Sequence, residues 1–242
     1  MVLSLHADWT VGDADGFRAA AATALALAAE RDVVVTVGAH PTRPEVGYGY
    51  IVSGEPIPGT AACRIARFVE KPTLQRARAL IADGAAWNTG LFAWPAPRFR
   101  AELEAHTPEL AGALPLLAAG DGEGFYRGVR PVSVDVGVFE RTARGATLAA
   151  DFGWDDVGSW AALLRVRARD GSGNVAHGDA HAVETRDSVL WSDGGTVVAF
   201  GVEGLVVVRT AGITLVTTTE RAAALKRLLD ALPGTLTGER GV

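Results

Sequence analysis

Residues 33–38, VVVTVG, narrow what this chain can become more than any other stretch. A continuous β-branched run without polar alternation reads as a strand buried on both faces, the habit of sheets covered by helices. Ahead of it, DADGFRAAAATALALAAE (13–30) is rich in Ala and Leu, with Asp13 or Asp15 to cap its start, and reads as a helix. Ahead of that, VLSLHAD (2–8) reads as a buried strand. Strand, helix, strand is the βαβ unit, the building block of a parallel α/β sheet.

The following stretch, 39–59, is rich in Gly and Pro and reads as loop and hairpin. CRIARFVEKP (63–72) is a strand stopped by Pro72, and TLQRARALIADG (73–84) a short helix with Thr73 as N-cap and Gly84 at C′. AWNTGLFAW (86–94) leads from a loop into a strand. Residues 97–119 are helical with interruptions at Pro108 and Pro115, and Ser133 or Asp135 opens a further helical stretch. TLAADF (147–152) is a strand, GWDDVGSW (153–160) a loop, and SWAALLRVRAR (159–169) a helix. From GNVAHGDA (173–180) onward the pattern changes to short Val-rich strands with Gly or Asp at the corners, closed by a helix at 221–232. A Gly/Ser linker near 170–173 therefore separates a first domain, 1–170, from a small β-rich one, 173–242.

Composition excludes several classes. The net charge of −5 offers no basic surplus for nucleic acid or an anionic membrane. No apolar run reaches the roughly 18 residues of a membrane span, and MVLSLHADW has no basic n-region of a signal peptide. Cys63 is the single cysteine, so disulfides within the chain and cysteine metal clusters are excluded, which fits a reducing cytoplasm. The five His show no HxxxH helix spacing; His177 and His181, with Gly178 and Asp179 between them, read as loop residues.

Chemistry has few candidate carriers. Asp155 and Asp156 sit between two tryptophans on a loop leaving a strand, where open α/β sheets usually act; helix capping by Asp156 or Ser159 is the plain alternative. Lys71 at a strand end suits a phosphate, although a solvated lysine is commoner. Asn88, beside Trp87 and Gly90, offers an amide to a hydroxylated ligand or simply closes a turn. In GYGY (47–50) the glycines permit close backbone approach, while the tyrosines equally suit a packed turn.

Taken in order, HAD (6–8), PTRPEVGYGYI (41–51), FVEKP (68–72), WNTGLF (87–92), SVDVGVFE (133–140) and GWDDVGSW (153–160), followed by a β-rich tail, resemble bacterial mannose-1-phosphate guanylyltransferases, the GDP-mannose pyrophosphorylases. The resemblance covers nearly the whole chain. It implies a Rossmann-like (GT-A-like) mixed sheet with helices, then a small β-helix-like unit. It implies transfer of GMP from GTP to mannose 1-phosphate, releasing pyrophosphate, with Mg²⁺ spanning the phosphates. Asp8 and Asp156 take the places of the metal carboxylates, and oxygen ligands of this kind suit Mg²⁺. Lys71 meets the sugar phosphate as a point charge. Glu70 and Asn88 bond mannose hydroxyls, Gly49 lets the sugar lie against the backbone, and Asp135 serves the substrate or caps a helix.

Two departures stand out. The family's glycine-rich GGxGxRLxPLS signature, whose backbone amides hold the nucleotide phosphates, occurs nowhere in the 242 residues. The chain begins at the motif that the family places roughly 100 residues in. A truncated fold, an open strand edge and no guanylyl transfer by this chain alone are the expectations. The second departure is local: where the family reads LPADH, this chain reads LHADW, with His6 for proline and Trp9 for histidine. The competing readings are a non-catalytic remnant that binds a sugar phosphate or a partner chain, and a related sugar-1-phosphate nucleotidylyltransferase of other specificity. A homo-oligomer fits any of them.

Overall fold

The computed structural model describes residues 1–233 of the 242. The chain forms two compact units, Met1–Trp154 and Asp155–Val242.

In the first unit the strand β1 (Val2–Ser4) and a two-residue β2 (Thr10–Val11) lead into α1 (Ala14–Arg31). Asp13 caps α1, its carboxylate accepting from the backbone N–H of Asp15 and Gly16. Every residue of β3 (Val34–Ala39) is buried, as its unbroken apolar run requires. Next come β4 (Tyr50–Pro56), β5 (Ala62–Val69), α2 (Leu74–Ala82) and β6 (Ala86–Trp94). Thr73 caps α2 through its hydroxyl. The helix ends in a Schellman pair, Gly84 N–H to Ile81 O and Ala85 N–H to Leu80 O, with Gly84 at φ +78°.

Prolines at 108 and 115 break the next stretch into α3 (Ala96–His106), α4 (Pro108–Ala111) and α5 (Leu114–Ala118), followed by α6 (Gly122–Gly128). The helical stretch expected around Asp135 is a π-helical turn, Asp135–Phe139. The strand expected at 147–152 is shifted to β7 (Gly145–Ala149).

The sheet runs β1-β6-β3-β7-β5-β4, with β4 also pairing with β6. β3 and β7 are parallel, and the other pairings are antiparallel, so the sheet is mixed. Period-two alternation sorts β3 between two cores. Val35 and Val37 pack against Ala20, Ala21, Ala24 and Leu27 of α1. Val34 packs with Phe92, Trp94, Val138 and Phe139 on the opposite face.

The two-residue β8 (Trp154–Asp155) falls at the division, and in the second unit a 3₁₀ turn (Trp160–Ala162) runs into α7 (Leu163–Val166). This is shorter than the helix expected at 159–169. Trp160, Ala161, Leu163 and Leu164 pack on Val189, Val206 and Val208. The strands β9 (Val175–His177), β10 (Ala180–Val183), β11 (Val189–Ser192), β12 (Val197–Phe200) and β13 (Leu205–Thr210) stack alternately in parallel, β9–β11–β13 and β10–β12, and β14 (Ile213–Thr218) returns antiparallel. This is a short β-helix. Its coils are tied by Asn174, which donates to Thr185 O and accepts from Ser188 N–H, both inside the stack. His177 and His181 lie in strands β9 and β10 rather than in a loop; Gly178, at φ +69°, makes the corner between them. The closing helix is a 3₁₀ turn (Ala222–Ala224) and α8 (Leu225–Leu229). No helix among the described residues is long and apolar enough to cross a membrane.

Candidate functional site

Strand register builds the site. Tyr50 of β4 pairs with Val69 of β5 on one side and with Trp87 of β6 on the other. One residue further along each antiparallel pairing, Gly49 lies between Glu70 and Asn88. A Cβ on Gly49 would sit 2.6 Å from Glu70 Oε2 and 3.2 Å from Asn88 Cβ. What glycine admits at this position is therefore the Glu70 carboxylate. Three residues picked from three separate motifs share one place because β4 is held from both flanks.

Asn88 is fixed by a bulge. The β3–β6 register slips between Thr36 and Gly38, and Gly90 within the slip takes φ +75°. Thr89 closes the bulge by donating its hydroxyl to Val37 O at 2.8 Å. Asn88 Oδ1 accepts from the buried Thr36 hydroxyl at 2.7 Å and from Gly90 N–H at 3.3 Å. Those bonds orient the amide so that Nδ2 donates to Asp135 Oδ1 at 2.9 Å. The amide of Asn88 thus closes the bulge and is joined to Asp135. Asp135 heads the π-helical turn, a form of helix often found at functional sites.

Lys71 Nζ lies 3.0 Å from Glu70 Oε1, and the lysine side chain is two-thirds exposed. Lys71 holds φ +45°, a left-handed conformation that a non-glycine residue adopts at a cost of about 1–3 kcal/mol. Glu70 N–H donates to Glu140 Oε1 at 3.0 Å. Burial pushes the Glu70 carboxyl above its ordinary value, against the pull of the Lys71 hydrogen bond. Burial raises Asp135 too, although its own backbone, His6, Lys71 and Asn88 pull the other way. The result is two carboxyls that hold a proton more tightly than usual, one amide and one exposed ammonium, a set suited to hydroxyls beside a phosphate.

The GYGY tyrosines turn inward. Tyr48 and Tyr50 are buried, and Tyr50 donates its hydroxyl to Glu45 O. Arg43 was not among the candidates read from the sequence. Its guanidinium lies 4.9 Å from the Trp87 ring centroid and donates to the Tyr48 hydroxyl at 3.1 Å. Glu45 pairs with the same guanidinium at 3.3 Å. An arginine followed closely by two aromatics was the available signal. Beside them, Trp9, Trp87 and Trp154 have buried indole N–H groups with no acceptor among the described residues.

Asp8 follows β1 as an exposed carboxylate. In the second unit, the loop after Trp154 separates the roles of its two aspartates. Asp155 receives a fork from Arg165, Nε at 2.7 Å and Nη2 at 2.9 Å, and also accepts from Val157 N–H. Val157 sits at φ +49°, strained for a β-branched residue. Asp155 is thereby committed to holding the loop on which the half-buried Asp156 is presented. Ser159 stands at the head of the following turn without a side-chain capping bond. Among the described residues no group of three or more His, Cys, Asp or Glu side chains forms a metal cluster.

The nucleotidyl transferase family model matches residues 1–173, and the β-helix domain described as MannoseP isomerase/GMP-like matches 178–232. A mannose-1-phosphate guanylyltransferase of Escherichia coli (strain K12) is 37% identical over 243 residues, covering 95% of this chain and 51% of its own length. The alginate biosynthesis protein AlgA of Pseudomonas putida is 33% identical, covering 96% and 50%. The chain spans about half the length of the curated relatives it matches. A solved Thermus thermophilus structure, titled mannose-1-phosphate geranyltransferase, superposes with a TM-score of 0.85 at 39% identity, covering 95% of this chain and 69% of that one. With a match to more than half its length, the chain belongs to the nucleotidyl transferase family, in the group of the mannose-1-phosphate guanylyltransferases.

Proposed function

We propose that this chain supplies the sugar-phosphate half of a mannose-1-phosphate guanylyltransferase, which joins GTP and mannose 1-phosphate into GDP-mannose and pyrophosphate. The observation that carries the reading is the oriented Asn88–Asp135 pair beside the Glu70–Lys71 ion pair. Asn88, Asp135 and Glu70 bind sugar hydroxyls, with Gly49 opening the space in which they meet. Lys71 neutralises the sugar phosphate and holds it for attack on the α-phosphorus of GTP.

Asp8 and Asp156 are the proposed Mg²⁺ carboxylates. Both are oxygen donors; one is exposed, and the other is carried by a loop that the Asp155–Arg165 fork fixes, which fits a hard, partly hydrated ion. When bound, Mg²⁺ supplies charge neutralisation at the phosphates.

The test is isothermal titration of the 242-residue chain with mannose 1-phosphate. Binding that Asn88→Ala abolishes supports the reading, and its absence in the unmodified chain sinks it. Pyrophosphate release from GTP and mannose 1-phosphate by these 242 residues alone is expected to be undetectable, since no GGxGxR segment occurs among them. Release near the rate of intact enzymes would overturn that expectation.

A further inference from the structure

His6 belongs to the same cluster and has so far been given no task. β1 pairs with β6 as Val2↔Trp94, Leu3↔Ala93 and Ser4↔Phe92. Extending that antiparallel register by two residues brings His6 opposite Gly90. The distances agree: a Cβ on Gly90 would lie 3.1 Å from His6 Nε2 and 3.2 Å from Cε1. Glycine in the bulge thus lets the edge of the imidazole rest on the backbone. Elsewhere the ring meets Trp9, with centroids 5.7 Å apart.

His6 is therefore held by packing, yet it is exposed, and among the described residues neither ring nitrogen has a hydrogen-bond partner. It lies within electrostatic reach of Asp135, the carboxyl that Asn88 orients. A positioned ring with unused nitrogens, beside an amide and a carboxyl, is equipped to bond a hydroxyl. A phosphate dianion placed there would face Asp135, whereas Lys71 offers its ammonium at Glu70.

We propose that His6 is a specificity-determining contact that hydrogen-bonds a hydroxyl of the bound sugar phosphate and leaves the phosphate to Lys71. This rests on the sugar-phosphate reading above. The residue stands where the resemblance expects a proline.

The experiment is titration without Mg²⁺ of the unmodified chain and of His6→Ala, His6→Phe, His6→Asn and Asn88→Ala, using mannose 1-phosphate and, separately, inorganic phosphate. His6→Phe keeps a ring against Gly90 and Trp9 but removes the nitrogens, and His6→Asn restores a polar group. The expected result is about 5- to 10-fold weaker mannose 1-phosphate binding for the Ala and Phe variants, most of it recovered in the Asn variant, with phosphate binding unchanged. Equal binding by the unmodified chain and the Phe variant, while Asn88→Ala abolishes it, overturns the role of His6 and leaves the site reading standing. An equal loss with inorganic phosphate overturns the assignment to a hydroxyl. No binding of mannose 1-phosphate by the unmodified chain overturns both readings.

Discussion

Asn88 donates to Asp135 across 47 residues of sequence, Nδ2 to Oδ1 at 2.9 Å, while its own carbonyl oxygen is held by the Thr36 hydroxyl. The same amide links a core strand to the head of a π-helical turn, so one substitution should be felt twice. Asn88→Ala leaves the fully buried Thr36 hydroxyl without its acceptor, a loss of about 1–3 kcal/mol in urea unfolding. It also frees Asp135 to reorient, so mannose 1-phosphate binding should fall by at least about tenfold. A variant that loses stability but binds as before would show that Asn88 serves the fold alone.

Gly49→Ala separates site geometry from stability in the opposite sense. Its backbone is not left-handed, but the new methyl group would meet Glu70 Oε2 at 2.6 Å. The Glu70 side chain must shift, disturbing its pair with Lys71. We expect binding of mannose 1-phosphate to weaken by about tenfold or more, while stability changes by about 1 kcal/mol. Titration calorimetry beside thermal unfolding distinguishes the two.

Two carboxyls should give opposite pH slopes. Glu70 is raised above 4.5 by burial, so the folded state holds its proton more tightly than the unfolded chain does. Its contribution to stability is greatest below 4.5 and falls as pH rises through the folded value. Glu109 is lowered to about 2, first by its hydrogen bonds from Arg141. Its contribution is present above 4.5 and is lost as pH falls toward 2. In urea midpoints measured across pH, Glu70→Gln should remove the first slope and Glu109→Gln the second. Unchanged profiles would refute both assignments.

Arg165→Ala and Asp156→Ala should divide the labour of the GWDD loop. Losing Arg165 leaves Asp155 without its fork and should destabilise the second unit by about 1–2 kcal/mol, the side chain being one-third exposed. Asp156→Ala should remove the Mg²⁺ enhancement of mannose 1-phosphate binding. An Asp156→Ala chain that keeps that enhancement would exclude Asp156 as a metal carboxylate.

Much of the architecture was legible in the residues because it is written at short range. The buried run of β3, the alanine-rich α1, the Asp13 and Thr73 caps and the Gly84 stop all follow from propensity and period. The β-helix was harder to see. Its coils repeat after 14 residues in one place and 17 in others, and the Val-rich rungs are interchangeable, so the period blurs. His177 and His181 were misread for a related reason, since a glycine corner between two rungs resembles a loop when seen alone.

The sequence by itself determined the α/β class, the β-rich tail and the set of residues that could carry chemistry. Tertiary structure decided which of them meet. Gly49, Glu70 and Asn88 become neighbours only because β4 pairs with β5 and β6 at once, and Asp135 joins them only through the bulge that turns Asn88. The same holds within GWDD, where two adjacent aspartates look alike until Arg165, ten residues on, claims the first. Local preference depends on a residue and its near neighbours. Register and bulges depend on how whole strands pack, and side-chain partners follow from them.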